Sequence, residues 1–249
     1  MKTHTPFHQH AAALIVALVV SSSSTRASVP SGPPVFSDPL NITNPFHPFQ
    51  PGGIKVFTGV EGKHRHVTIY DFMTETRTFT LGGKSVECRI LREMSFDEGV
   101  VIEISFNHFA QADDGSVYYF GEVVNIYENG VIVNHEGSWL VGGPGVSDPP
   151  ETATATAPGL IMPAQPELGD TFKPEDLFPI VDETGEVVRT NVKVRLPAGH
   201  FKDGIELKET SQLPGGAERK IYVPGVGEVL ARAKGELQRL IVTTFKAAP

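Results

Sequence analysis

The chain of 249 residues is short of the features that announce an activity. It has one cysteine, Cys88, and one tryptophan, Trp139. A lone cysteine forbids an internal disulfide, so the fold must rest on burial of apolar surface. Cys88 sits in "KSVECRILREM" with no helix start or basic cluster to activate it, which predicts a small buried apolar side chain rather than a reactive thiol. No apolar run after Val20 reaches bilayer-spanning length, and no long 3.6-residue apolar period or fixed-length repeat appears. With 21 Lys and Arg against 29 Asp and Glu, the net charge of −8 argues against nucleic-acid binding and polyanion capture.

Chemical motifs are also lacking. No serine occupies a G-x-S-x-G elbow, since "EGSW" has glycine on one side only. "DDG" and "VSDPPE" lack the alternating oxygen ligands of a calcium loop. "GGPG" and "PGVG" stand outside any strand-to-helix context, which excludes a phosphate cradle. The acidic residues form no E-x-D-x-E pattern of a β-sandwich glycosidase.

What is present begins with an export signal. Lys2 and three histidines precede the ten-residue apolar block Ala11–Val20, and "SSSSTRA" follows with small residues at Thr25 and Ala27. This order predicts a secretory signal peptide over residues 1–27, cut after Ala27. The mature protein is then exported, to the periplasm or beyond the cell, and is not an integral membrane protein. From 28 to 53 the prolines of "VPSGPPVFSDPLNITNPFHPFQPGG" predict an extended leader that Phe46 and Phe49 dock onto the domain. "NIT" at Asn41 matches a glycosylation acceptor, a pattern too short to be selective.

Residues 54–249 are expected to form one β domain. "IKVFTGV", "HVTIYDF", "TRTFTL", "SVECRILREM" and "VVIEISFNHFA" alternate and are rich in β-branched and aromatic residues; "GG", "DEG", "DDG" and "ENG" mark turns between them. Residues 142–179, with "GGPGVSDPPETATATAPG", read as a long irregular loop, after which strand texture resumes. The predicted fold is all-β and mainly antiparallel, a single curved sheet or incomplete barrel.

The stretch "DDGSVYYFGEVVNIYENGVIVNHEGSW" from Asp113 to Trp139 is the densest in aromatic rings. A two-residue turn at Asn129-Gly130 sets Glu128 opposite Val131, Ile126 opposite Val133, Val124 opposite His135 and Phe120 opposite Trp139. One face then carries Tyr118, Phe120, Glu122, His135 and Trp139, the ligand-facing candidates, with Glu122 and His135 as diagonal neighbours. Extending the alternation back through Asp114-Gly115 puts apolar residues on both faces. Either Gly121 marks a bulge that shifts the parity, or both faces are covered.

A second reading is a metal-dependent enzyme. His64 and His66 share one strand face, with a third ligand from His108, Glu122 or His135. The glutamate that a cupin-type site places a few residues later is missing, the next being Glu75. A transition metal is expected only on this reading; otherwise no cofactor is. A third reading is a structural module of an envelope assembly.

The segments "NPFHPFQPGGIKVFTG", "DDGSVYYFGE", "YENG", "EGSW", "PGLIMPAQPELGDTF" and "YVPGVGEV", in this order from Asn44 to Val229, resemble a group of exported bacterial β-rich proteins. The resemblance implies an exported β domain and carries no activity or site residues. "GGPGVSDPPETATATAPG" is longer than the corresponding loop of that group. The expected role is non-catalytic binding of a small ligand or an envelope component.

Overall fold

The computed structural model describes residues 29–214 and 216–247. The predicted signal peptide lies outside them. The chain is all-β: β1 (Ile54–Glu61), β2 (His64–Leu81), β3 (Lys84–Asp97), β4 (Val100–Gln111), β5 (Val117–Glu128), β6 (Val131–Asn134), β7 (Trp139–Val141) and β8 (Ala153–Ala155) are followed by β9 (Gly159–Met162), β10 (Thr171–Leu177), β11 (Val181–Leu196), β12 (Gly199–Thr210), β13 (Glu218–Val223), β14 (Gly227–Ala233) and β15 (Glu236–Thr243). No helix among the described residues is long and apolar enough to cross a membrane.

The strands make one sheet in the order β10-β11-β12-β13-β14-β15-β1-β2-β3-β4-β5-β7-β8. Neighbours are antiparallel except β7 and β8, which run parallel. β5 is long enough to take three partners along its far edge: β6 near Glu128, β7 at Gly121 and Glu122, and β9 at Val117–Tyr119. β9 in turn lies against β10, bringing the ends of the curved sheet together as a nearly closed barrel. At this seam a Cβ on Gly159 would meet the Pro174 carbonyl oxygen at 1.8 Å, so only glycine permits the approach. Pro174 has no N–H to donate, and no ladder joins β9 to β10 there.

The segment 142–179 is therefore not wholly irregular. It contains β8, β9 and β10, and two of these strands form the seam. Its prolines hid them, because short edge strands tolerate proline while a central strand would not.

Both explanations offered for the two apolar faces of β5 hold together. Asn107 pairs with Glu122 and Phe109 with Tyr119, so β5 carries one extra residue at Phe120-Gly121. Gly121 has φ +105°, and a Cβ there would lie 2.1 Å from the Trp139 carbonyl oxygen. This bulge turns Tyr119 and Glu122 to the barrel interior while Tyr118 and Phe120 face outward. The outward side is covered as well. Phe36 of the leader packs edge-on against Tyr118 and Phe120 at 5.8 and 5.5 Å, and Phe79 reaches Phe120 at 5.3 Å. Cys88 is fully buried. Burial pushes its thiol pKa up, in keeping with an inert apolar role.

The leader is docked by specific bonds. Asn44 donates through Nδ2 to the carbonyls of Gly115 and Pro163 at 3.0 and 2.9 Å, and its Oδ1 accepts from the Phe46 and His47 amides. The Gln111 side chain accepts from the Thr43 and Asn44 amides, and Asp113 accepts from Ser37. These bonds satisfy a proline-rich backbone that no strand ladder serves, and they bring His47 and Pro48 to the barrel interior.

A polar lumen as candidate functional site

The barrel encloses a cavity of about 190 Å³. Its wall follows from strand alternation. Lys55 on β1 faces Tyr70 on β2, Tyr70 faces Glu93 on β3, and Glu93 faces Ser105 on β4, one cross-strand row. Asn107 faces Glu122. On the opposite wall Glu175 faces Glu183 directly, Glu209 faces Glu218, and Tyr222 faces Glu228. Phe72, Leu91 and Phe109 supply apolar surface between these groups, and His47 and Pro48 of the leader complete the lining.

Six glutamates and two lysines thus line one small space: Glu93, Glu122, Glu175, Glu183, Glu209 and Glu228 against Lys55 and Lys220. Lys220 is taken up by Glu209 at 2.6 Å and Glu218 at 3.4 Å. Lys55 is 3% exposed; its ammonium donates to the Glu228 carbonyl at 3.3 Å and lies over the rings of Phe72 and Phe245. Among the described residues no ion pair reaches Glu93, Glu122, Glu175 or Glu183. Glu93, Glu122 and Glu175 have neutral partners, Tyr70, Tyr119 and the Trp139 indole, which donates to Glu175 at 3.1 Å, while Lys220 acts on Glu183 from beyond ion-pair distance.

Burial disfavours charge on such groups. It raises the Glu93 carboxyl to about 8, with Glu228 and Glu103 adding repulsion and the Tyr70 hydroxyl opposing. It raises Glu209 and Glu228 to about 7, with Lys220 pulling both back. Glu122 is pushed well up by burial and then by Glu175, and Glu175 and Glu183 also rise through burial. Lys55 is lowered to about 8 by burial, against the pull of Glu228, and His47 falls to about 3 by burial and the charge of Lys55. Burial thus holds the lumen carboxyls part-neutral, with Lys220 drawing Glu93, Glu175, Glu183, Glu209 and Glu228 back toward the charged form.

The ligand-facing candidates divide between two sides of the sheet. Glu122 lines the lumen and Trp139 sits in its wall, its ring edge-on to Tyr119 at 5.2 Å. Tyr118 and Phe120 face outward beneath Phe36, and His135 lies in an outer groove with His108, Arg77 and Asp148. Glu122 and His135 are consequently not neighbours on one face. Ile126 pairs with Asn134 rather than Val133 because the β5–β6 register shifts between Ile126 and Tyr127, and Trp139 pairs with Glu122 rather than Phe120 after a further turn closed by the Ser138 amide on the His135 carbonyl. Val131 and Val133, expected on an apolar face, are 65% and 47% exposed. Glu128 does face Val131, as the Asn129-Gly130 turn requires.

The histidines do not converge. His64 Nδ1 and His66 Nε2 lie 3.5 and 3.9 Å from Asp97 at the β2–β3 edge. His108 pairs with Ile90, seven positions along β3 from Asp97, on the order of 20 Å away at the rise of a strand. It is 2% exposed, its Nδ1 is 2.9 Å from the Gly121 carbonyl, and burial lowers its pKa to about 4. His135 Nδ1 contacts the Val124 carbonyl at 2.8 Å. The proposed set of His64, His66 and His108 therefore has no common centre, and Glu122, opposite Asn107, is equally remote. Among the described residues, His64, Asp97 and Glu98 do bring three ligand atoms within 4.8 Å of one another. Glu98 already accepts the Arg65 amide at 2.7 Å, and His64 and Glu98 are exposed.

The lumen residues missing from the sequence reading are Lys55, Tyr70, Glu93, Glu175, Glu183, Glu209, Lys220 and Glu228. Each is an ordinary polar residue on an alternating strand, and only closure of the sheet reveals that its side is the inner one.

No family model and no curated protein matches the chain. Among solved structures it is similar to a candidate exported protein from Bacteroides fragilis with a YmcC-like fold. The TM-score is 0.44 at 13% identity, over 81% of this chain and 99% of that one.

Proposed function

We propose that the protein is an exported, non-catalytic binding protein whose barrel lumen takes a small organic cation. The observation that carries this is the set Glu93, Glu122, Glu175 and Glu183 around one cavity, none of them in an ion pair. Like charges directly opposite in a ladder, as at Glu175 and Glu183, are destabilising. A buried cation would relieve that repulsion and let the carboxyls ionise. The lumen carboxyls form no group of three within metal-ligand distance, so they suit an extended amine better than a bare metal ion. Tyr70, Tyr119 and Tyr222 supply π faces for an ammonium group. Export is supported by the signal-like segment and by the likeness of the chain's motifs to exported proteins.

Titration calorimetry with putrescine, 1,4-butanediol and calcium chloride tests the reading. Putrescine is expected to bind, more tightly at pH 8 than at pH 6, with release of protons seen as a buffer-dependent heat. The diol and calcium are expected to bind at least tenfold more weakly. Glu175→Gln with Glu183→Gln should weaken putrescine by roughly ten- to a hundredfold, the scale of a lost charged hydrogen bond. Equal binding of the diol would overturn the cationic ligand and keep the binding role. Absence of binding by both organic probes would overturn both.

A further inference from the structure

The β11–β12 hairpin carries an arrangement unrelated to the lumen. Arg195 faces His200 across the ladder, and Lys193 and Lys202 occupy the next positions on the same side. All four are exposed and line a groove of about 530 Å³, closed at its margin by Pro224 and Ala247. Three cations lie close together without relief, since no ion pair reaches Lys193, Arg195 or Lys202 among the described residues. Beyond Asp203 the next acid along β12 is Glu206, which is occupied by Arg189 and Arg219, each at 2.9 Å. Among the described residues, Asp203 is the one carboxylate in the groove.

We infer that this groove binds a linear polyanion, a polymer with closely repeated phosphate or carboxylate groups. Cross-strand neighbours lie about 5 Å apart and alternate residues along a strand roughly 7 Å apart, so one chain can meet three cations in succession. The groove is concave, and none of the large exposed apolar residues flanks it, which fits a narrow chain rather than a bilayer surface. The net charge of −8 predicted the opposite. Net charge averages over the whole chain, whereas at physiological salt charges beyond about 8 Å are largely screened. A local cluster of cations then sets the potential that a bound anion meets.

Fluorescence anisotropy with labelled polyphosphate and labelled polygalacturonate provides the test, with anionic phosphatidylglycerol vesicles as the competing surface. Binding of at least one polymer is expected; the preferred one identifies phosphate or carboxylate as the anion read. The logarithm of affinity should fall with the logarithm of salt concentration with a slope of roughly −2, about −0.7 for each of three cations. The variant Arg195→Glu with Lys202→Glu should lose at least tenfold in polymer affinity. Both positions are exposed, so the circular dichroism and the putrescine titration should be unchanged. Failure of both polymers to bind at low salt, an unaltered affinity in the variant, or stronger binding to vesicles than to either polymer would overturn the inference.

Discussion

The two sides of β5 reverse the usual arrangement of a barrel wall. Its inner side, at Tyr119 and Glu122, meets a cavity rich in carboxyls. Its outer side, at Tyr118 and Phe120, is sealed under Phe36 and Phe79. A dry outer layer holds the strands so that a polar inner layer can be tolerated. The contrast teaches that burial in this protein has two purposes: apolar burial outside the bulge stabilises, whereas polar burial inside costs stability and prepares a site.

The contrast breaks first at Phe120, which is fully buried. Phe120→Ala is expected to lose about 3–5 kcal/mol, as other buried phenylalanine truncations do, read as a shift in urea midpoint. A loss under about 1 kcal/mol would mean that the outer layer does not hold the sheet.

The next effect is pH dependence. Glu93 near 8, and Glu209 and Glu228 near 7, stand above the ordinary carboxyl value of 4.5. The folded protein keeps protons that the unfolded chain has released, so their contribution is full below that value and lost as pH rises through 7 to 8. His47 near 3 and His108 near 4 are bases lowered from 6.5, and their contribution is lost as pH falls below 6.5. Lys55, lowered to about 8, adds a rise only above that pH. Between pH 4.5 and 6.5 the three carboxyls lose more than the two histidines gain, so melting temperature should peak near pH 4.5 and decline by several degrees toward pH 8. In Glu93→Gln the alkaline decline should be shallower. A flat profile from pH 6 to 8 would show that the lumen carboxyls ionise freely.

Asn44→Ala tests the leader's grip. Loss of its buried amide bonds should cost about 1–3 kcal/mol and make the segment 29–53 cleavable by low protease doses before the barrel unfolds. Equal protease resistance would mean that proline and aromatic packing suffice. The smallest effect is expected at Glu122→Gln. Burial already favours the neutral carboxyl, so its amide isostere should change stability by less than about 1 kcal/mol. A loss comparable to that of Phe120→Ala would make the inner layer structural and erase the distinction.

Much of the strand framework was legible because period-two alternation and the Asn129-Gly130 turn act locally. Gly121 was legible as a bulge candidate for the same reason, since a glycine within an aromatic strand invites a backbone explanation. The partners of Trp139 were not legible. Their register depends on a bulge at Val133 and on the turn at His135–Ser138, and the two-residue slip they make together keeps the alternation intact. The strands β9 and β10 were obscured by proline, and the lumen glutamates by their resemblance to any solvated strand face.

By itself the chain determined its β character, its dependence on burial without disulfides, and the inert setting of Cys88, all consequences of residue type and neighbouring spacing. Tertiary structure alone decided which side of each strand is inside. That choice depends on bulges and on β9 meeting β10 at Gly159 and Pro174, contacts between residues far apart in the chain. It gathers six glutamates around one cavity and leaves His64 and His108 far from each other.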